Sequence, residues 1–473
     1  MKLTAKSIAA LVFAALGLIA FPVAFFSQQH LFGDGAYYFA DLVGTGRISN
    51  LGPDNRFLSI MITKLPTFLA LHAGISNISI LSWIYGATLY YFPFICYVTA
   101  ALLLFRKGMD IQAALLALAY QIMCYFTSYF IISEEHLACG LFMLALSIIA
   151  TCNLRNVRPL FALICIGTIA FASYESWAIF LPVCIVFFLF KVIGQAPLRP
   201  SIKFLQSAVV LIYISGSVLN IVEIFSSQVS DNRQSIIDVL GINKSFSIFF
   251  ACLVFGIIVL CSCFGSTLVR IFRLDQRFIG FRIFQYLQRV EAAFPLAMLA
   301  ALGASVFLYL GIFPKPDDSY QLRIINLFLP LLFALSFLAP GKKTDSSTQA
   351  RTLALLCVLP MLVLTMQASL FHTARWVDFR KSFYAATQEQ SGFVPIDTVK
   401  ITTPSFLWGW PSPSFSILLQ AMQGRNVQSI LFDPKASFQP YGPADTKNAL
   451  RLVKSLHLDV AFAVPNNQKR SRK

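Results

Sequence analysis

Residues 8–26 read IAALVFAALGLIAFPVAFF, nineteen residues without a charge, preceded by Lys2 and Lys6 and followed by the polar Ser27-Gln28-Gln29-His30. A helix of about twenty residues rising 1.5 Å each matches the roughly 30 Å hydrocarbon core of a bilayer. The run is longer than an ordinary signal-peptide core and no small-x-small cleavage pattern closes it, so it reads as a retained anchor.

The rest of the chain repeats that pattern. Of 473 residues 57% are hydrophobic, 14% aromatic and only 12% charged, with mean hydropathy +0.71, too little polar matter to cover a water-soluble globule. In lipid each crossing segment must satisfy its own backbone, so crossing runs are helices. Further apolar runs at 78–105, 111–131, 137–152, 159–173, 177–192, 204–226, 246–264, 293–313, 324–339 and 352–370 predict an all-α polytopic membrane protein of about eleven transmembrane helices. The stretch 60–71 is broken by Lys64 and Pro66; counting it as a span inverts every later loop, so it reads as an interfacial or re-entrant helix. The stretch 269–290, with Arg270, Arg273, Arg277, Arg282 and Arg289 among Phe and Ile, reads as an amphipathic helix on an anionic leaflet.

Charge placement sets the orientation. With the N-terminus inside, about seventeen Lys/Arg, among them Arg106, Lys107, Arg155, Arg158, Lys191, Lys342 and Lys343, fall on the inner side and about seven outside. The net charge of +16 is therefore a topology signal, and no basic cluster sits in a nucleic-acid motif, which excludes a nucleic-acid partner. The ten cysteines lie in or beside apolar runs and read as packing residues rather than a disulfide framework. No phosphate-binding Gly-Lys loop, dinucleotide fingerprint, His-Glu-x-x-His or nucleophile elbow is present, so ATP-driven transport, redox chemistry and serine hydrolysis have no support.

The acids run the other way. Roughly ten of the 21 carboxylates fall in outer loops, several in turns too short to leave the bilayer surface. The first outer loop opens with Gly33-Asp34-Gly35-Ala36-Tyr37-Tyr38; Glu134 and Glu135 precede His136 in a second connection; Glu175 stands in Ser173-Tyr174-Glu175-Ser176-Trp177; Asp317 and Asp318 form a later turn. Ionised carboxylates are costly to desolvate unless paired or functional, so one reading is a shared site. The other is a set of salt bridges to Arg47, Arg56, Arg233, Lys315 and Arg323.

One span, an outer loop with Asp-x-Ala-Tyr-Tyr, many further spans with outer acids and a soluble outer C-terminal segment resemble the GT-C glycosyltransferases, in particular the bacterial members that use polyprenyl-phosphate sugars. The resemblance implies an inverting transfer of a sugar from that lipid donor to a saccharide or lipid acceptor, with Asp34 as base; the short-turn acids Glu134, Glu135 and Glu175 are read from their placement as further catalytic candidates of the shared site. Gly35 stands where a second acid is common in that pattern, which argues against a metal at this loop. Residues suited to hold the substrates are Tyr37, Tyr38, Tyr174 and Trp177 for sugars, and Arg47, Arg56, Lys315 and Arg323 for the phosphate. A divalent cation (Mg or Mn) held by Glu134, Glu135 or His136 is the competing device. A transporter or flippase of a lipid-linked saccharide, or a non-catalytic envelope-assembly protein, are the alternatives, with no clear inverted repeat for the former.

From His372 the chain turns polar and Pro-rich. Residues 1–371 thus read as the transmembrane part, and 372–473 as a small extracytoplasmic α/β domain with strands at 398–402, 427–432 and 460–464 and helices at 414–422 and 445–456, ending in a disordered basic tail. There Trp408-Gly409-Trp410-Pro411 reads as a packed turn or a saccharide platform. The charge asymmetry places the N-terminus in the cytoplasm, and the resemblance implies a bacterial inner membrane. In a variant lacking the native cysteines, an impermeant thiol reagent applied to intact cells is expected to label Thr45→Cys and to spare Lys107→Cys; the reverse pattern would overturn the orientation.

Overall fold

The computed structural model describes residues 4–49, 56–130, 134–174, 176–193, 199–226, 329–331, 333–334, 336–337, 351, 354–407, 409–424, 426–434 and 446–461. The expected spans at 246–264 and 293–313, most of that at 324–339, the stretch 269–290 and the basic end fall outside them.

The described chain is mostly helical. Helix α1 (Ala5–Phe26) starts at Thr4, whose hydroxyl accepts the Ser7 N–H at 3.2 Å, satisfying a donor that a helix start leaves open. Its middle, Leu16–Ala20, is wound wider, with the Phe21 N–H reaching the Leu16 carbonyl. In that register the next bond would run from residue 22 to Gly17, and Pro22 has no N–H to give. The Tyr91 hydroxyl takes its place on the Gly17 carbonyl at 2.5 Å.

After α2 (Asp34–Thr45) come α3 (Phe57–His72), α4 (Ile78–Arg106), α5 (Asp110–Phe130), α6 (Glu134–Thr151), α7 (Val157–Ala170), α8 (Trp177–Val192) and α9 (Pro200–Ser226). Among the described residues, α1, α4 and the 200–222 part of α9 are long and apolar enough to cross a membrane; α3 and α5–α8 hold shorter apolar stretches. Helix α4 packs along α6, and α9 along α8 and α7. Phe13, Phe21, Tyr90, Phe94, Tyr97 and Tyr120 interlock as one aromatic layer joining α1, α4 and α5.

Helix α3 is amphipathic in the inverse sense. Ser59, Thr63, Lys64 and Thr67 are buried while Leu65 and Leu69 are exposed. In water such a helix would be inside out; against lipid it turns its apolar face to hydrocarbon and its polar stripe to the protein. Thr63 and Thr67 follow Ser59 at helical spacing, and the Thr88 hydroxyl of α4 donates to the Thr63 carbonyl at 2.7 Å.

Helix α10 (Leu359–Glu389) runs unbroken through position 372, so the change in composition expected to mark a boundary at 371/372 falls inside one helix. Beyond it, β1 (Gly392–Pro395) pairs in parallel with β2 (Ser429–Phe432), Gly392 opposite Ser429, with α11 (Ser412–Met422) between them and α12 (Thr446–Ser455) after. Val427 bridges Val460, also in parallel. Gln420 ties helix to strand, donating to the Ser429 carbonyl at 2.8 Å and accepting the Gln428 N–H at 2.7 Å. The strand expected at 398–402 lies at 392–395 instead, because the threonines after it bond to α10: the Thr402 N–H donates to Ser382 Oγ at 3.0 Å and Thr403 Oγ1 to the Arg375 carbonyl at 3.3 Å.

Between α1 and α2 the chain reverses through 27–33. Gly33 takes φ 58°, ψ −131°, a conformation that a side chain disfavours. Gly35 has a different reason: a Cβ there would fall on the His30 carbonyl oxygen. Gly35→Ala is expected to destabilise the folded protein by about 1–3 kcal/mol. Gly46→Ala, at φ +62° with open space around it, should cost only about 1 kcal/mol. Thermal unfolding in detergent orders the two, and equal melting temperatures would refute the steric account of Gly35.

Candidate functional site around helix α2

Helix α2 opens at Asp34, and Tyr37, Tyr38 and Asp41 follow at spacings of three, four and seven residues, which place these positions on one face. Two further elements close on it. From α3, Lys64 is 1% exposed, and its ammonium lies 4.8 Å from the centre of the Tyr38 ring, within cation–π range. From the C-terminal part, the turn before α11 brings Trp410 to 5.3 Å from Tyr37, ring centre to centre, at an interplanar angle of 69°. Helices α11 and α12 both pack against α2, and Gly44 leaves room for Leu452 and Ser455.

Lys64 is also the cation facing Asp41. Burial pushes the Asp41 carboxyl above the ordinary aspartate value, against the pull of Lys64 and a hydrogen bond from Ser49. The attraction of Lys64 thus offsets only part of what desolvation costs.

Behind α2, His30 is buried. Its Nε2 shares a 2.8 Å hydrogen bond with Ser82 Oγ, and its ring lies on Gly86, where a Cβ would collide with it. Burial and the nearby Arg380 hold it down to about 3, against the Ser82 bond, so the imidazole stays neutral and serves as a wedge between loop and α4.

The turn before α8 joins this region through the start of α3. The Leu58 N–H donates to the Ala172 carbonyl at 2.6 Å, Ser59 Oγ to the Ser173 carbonyl at 2.7 Å, and the Arg56 guanidinium lies 4.7 Å from the centre of the Tyr174 ring. Arg56 and Tyr174, far apart in sequence, are therefore neighbours. Arg47 is exposed beyond the C-terminal cap of α2.

Other expected residues are placed differently. Trp177 is fully buried, edge-on to Phe142 and Phe180, which corrects its reading as a sugar-stacking ring: it is core. His136 is buried between Tyr97 and Tyr120, with ring centres at 5.9 and 5.8 Å, and Glu135 beside it is buried as well. Among the described residues no three His, Cys, Asp or Glu side chains gather to hold a metal ion, and His136 packs in the aromatic layer. Glu175, Lys315 and Arg323 lie outside the described residues, as do the side chains of Asp34 and Glu134.

Lys64 entered the sequence reading only as an interruption of an apolar run. The signal that marks it is the stripe Ser59, Thr63, Thr67 beside it, a polar face on an otherwise apolar helix. No family model, curated protein or solved structure matches the chain.

Asp41 supplies a pH test. Folded Asp41 keeps its proton to a higher pH than unfolded Asp41, so the folded state binds more protons between the two values and stability falls as pH rises through that window. Asp41→Asn is expected to flatten that part of the curve of Tm against pH and to leave Tm at pH 7 equal or higher. A lower Tm at pH 7 would mean that Lys64 more than offsets the desolvation.

Proposed function

We propose that the chain is an inverting, GT-C-type glycosyltransferase that moves a sugar from a polyprenyl-phosphate donor to a cell-envelope lipid or polysaccharide at the outer face of a bacterial inner membrane. In this reading the N-terminus is cytoplasmic, and the segment after α10 is an extracytoplasmic α/β domain. The observation that carries it is the buried Lys64 beside Tyr38 and Asp41 on the helix that Asp34 begins. Lys64 already faces Asp41 and the Tyr38 ring, and a cation fixed there on an interfacial helix suits a further anion, the lipid phosphate that the bilayer surface delivers.

The proposed step is a single displacement. Asp34 takes the proton of an acceptor hydroxyl, the acceptor oxygen bonds to the anomeric carbon, and the bond from that carbon to the phosphate oxygen breaks. The electron pair leaves with the lipid phosphate, whose added charge Lys64 balances and Arg56 supports. Attack opposite the leaving group inverts the anomeric centre.

With membranes supplied with labelled polyprenyl-phosphate sugars, Asp34→Asn is expected to lower transfer by about 10²–10⁴-fold, the usual contribution of a general base. Lys64→Met is expected to lower transfer at least comparably while the protein stays in the membrane. Undiminished transfer by Asp34→Asn would end the proposal.

A further inference from the structure

We propose that helices α7 and α8 form a lipid-facing edge that thins the bilayer beside it, a surface that fits phospholipids of short acyl chain. The edge needs only that these helices cross the membrane; it does not depend on the transferase reading.

Helix α7 has 14 residues and α8 has 16, about 21 and 24 Å at the α-helical rise. The hydrocarbon core of a bilayer is roughly 30 Å thick. Both helices nonetheless present an apolar stripe on their exposed side: Val157, Phe161 and Cys165 on α7, and Ile179, Val186 and Phe190 on α8. The exposed Thr168 continues the first stripe, and its hydroxyl turns back to donate to the Ile164 carbonyl at 2.9 Å, so it offers no free donor to the surroundings. A helix with its apolar side outward in a chain of this composition faces lipid. By contrast α1 has 22 residues and α4 has 29, about 33 and 43 Å, so the shortfall is local to the α7–α8 side.

The two polar ends of this edge are held at a fixed separation. Helix α9 grips α7 at three heights: Gln206 Nε2 donates to the Leu154 carbonyl at 3.0 Å, the Tyr213 hydroxyl to the Leu163 carbonyl at 3.0 Å, and Asn220 Nδ2 to the Ala170 carbonyl at 3.3 Å. From position 206 to position 220 a helix rises about 21 Å, so α9 is a second ruler that returns the length of α7. At one end Arg155, Asn156 and Arg158 are exposed, the Arg155 N–H donates to Asn153 Oδ1 at 3.1 Å, and Lys191 of α8 donates to the Ala150 carbonyl at 2.9 Å. At the other end the Ala172 and Ser173 carbonyls are taken by Leu58 and Ser59 of α3. Tilting a short helix shortens its crossing further, and drawing the charged turn into hydrocarbon is costly, so the bilayer adapts instead. Headgroups drawn in at the Ala172–Ser173 turn stand beside the start of the helix that carries Lys64.

The test uses the full-length protein in phosphatidylcholine bilayers of defined chain length. A nitroxide on Cys165, exposed near the middle of α7 and kept as the single cysteine of the ten, reports its depth through its accessibility to oxygen against a nickel chelate. In 18-carbon bilayers that label is expected about 10 Å from the hydrocarbon boundary, half the length of α7. A label on Ile95→Cys, exposed on α4, is expected several ångströms deeper, towards the midplane at about 15 Å. In competition with spin-labelled phosphatidylcholine, 14-carbon lipid is expected to outbind 22-carbon lipid about threefold or more. Arg155→Leu with Arg158→Leu, which adds about one turn to the apolar edge, should lower that ratio, and Arg155→Lys with Arg158→Lys should keep it. A Cys165 label shielded from oxygen, as when another segment or a second copy covers the edge, would overturn the proposal. So would a Cys165 label as deep as that at position 95, or equal binding of the two chain lengths by the wild type. These readouts decide the matter even where the leucine pair fails to fold, and because none involves sugar transfer, failure of the transferase reading leaves the edge standing.

Discussion

The architecture turns on how the end of helix α1 is held. A helix leaves its last carbonyls without partners, and at a membrane boundary water is a poor substitute. Here Trp376 Nε1 and Arg380 Nη1 both donate to the Ser27 carbonyl, at 3.0 and 2.8 Å, Arg380 donates to Gln28 Oε1 at 2.6 Å, and Thr373 Oγ1 to Gln29 Oε1 at 3.2 Å. A cation at the C-terminal end of a helix also meets the negative pole of its dipole. All three donor groups come from α10, so the point where the chain leaves α1 and the helix that carries the C-terminal segment are fixed to each other. Phe32 then enters the aromatic cluster of Trp376, Phe406 and Phe415, and α2 begins two residues later against the elements that α10 delivers.

That clamp explains which parts were legible in the sequence. Runs such as 78–105 and 204–226 coincide with α4 and α9 because an apolar stretch in lipid has no option but to bond its backbone to itself. The two glycines flanking Asp34 were readable as a tight path, and each has its own cause, dihedral at Gly33 and contact at Gly35. Helix α11 and the strand at β2 were legible from periodicity. What local pattern could not supply was partnership. Thr402 and Thr403 have strand propensity but are taken by α10, so the strand forms earlier, at Gly392–Pro395. Trp177 sits in a turn that looks interfacial, yet packs inward on Phe142 and Phe180. Lys64 looked like a flaw in an apolar run, because a polar stripe on a lipid-facing helix reverses the usual meaning of burial.

The same reversal bears on the chemistry that the site can support. An acid at position 35, beside Asp34, would make the loop a candidate for a divalent ion, which needs several oxygens converging on it. The reversal at His30 leaves no room for any side chain there. The second acid of α2 is instead Asp41, two turns on, and its raised carboxyl shows that the surroundings resist negative charge even with Lys64 near. A region that already penalises one carboxylate is a poor place to gather several. Because Lys64 is held on a helix, its charge would be in place before any ligand binds in the proposed transfer, and little reorganisation would oppose stabilisation of a phosphate as charge develops on it. In the proposed transfer, the sterics of Gly35 and the inverted face of α3 are what a site built on a lysine would use.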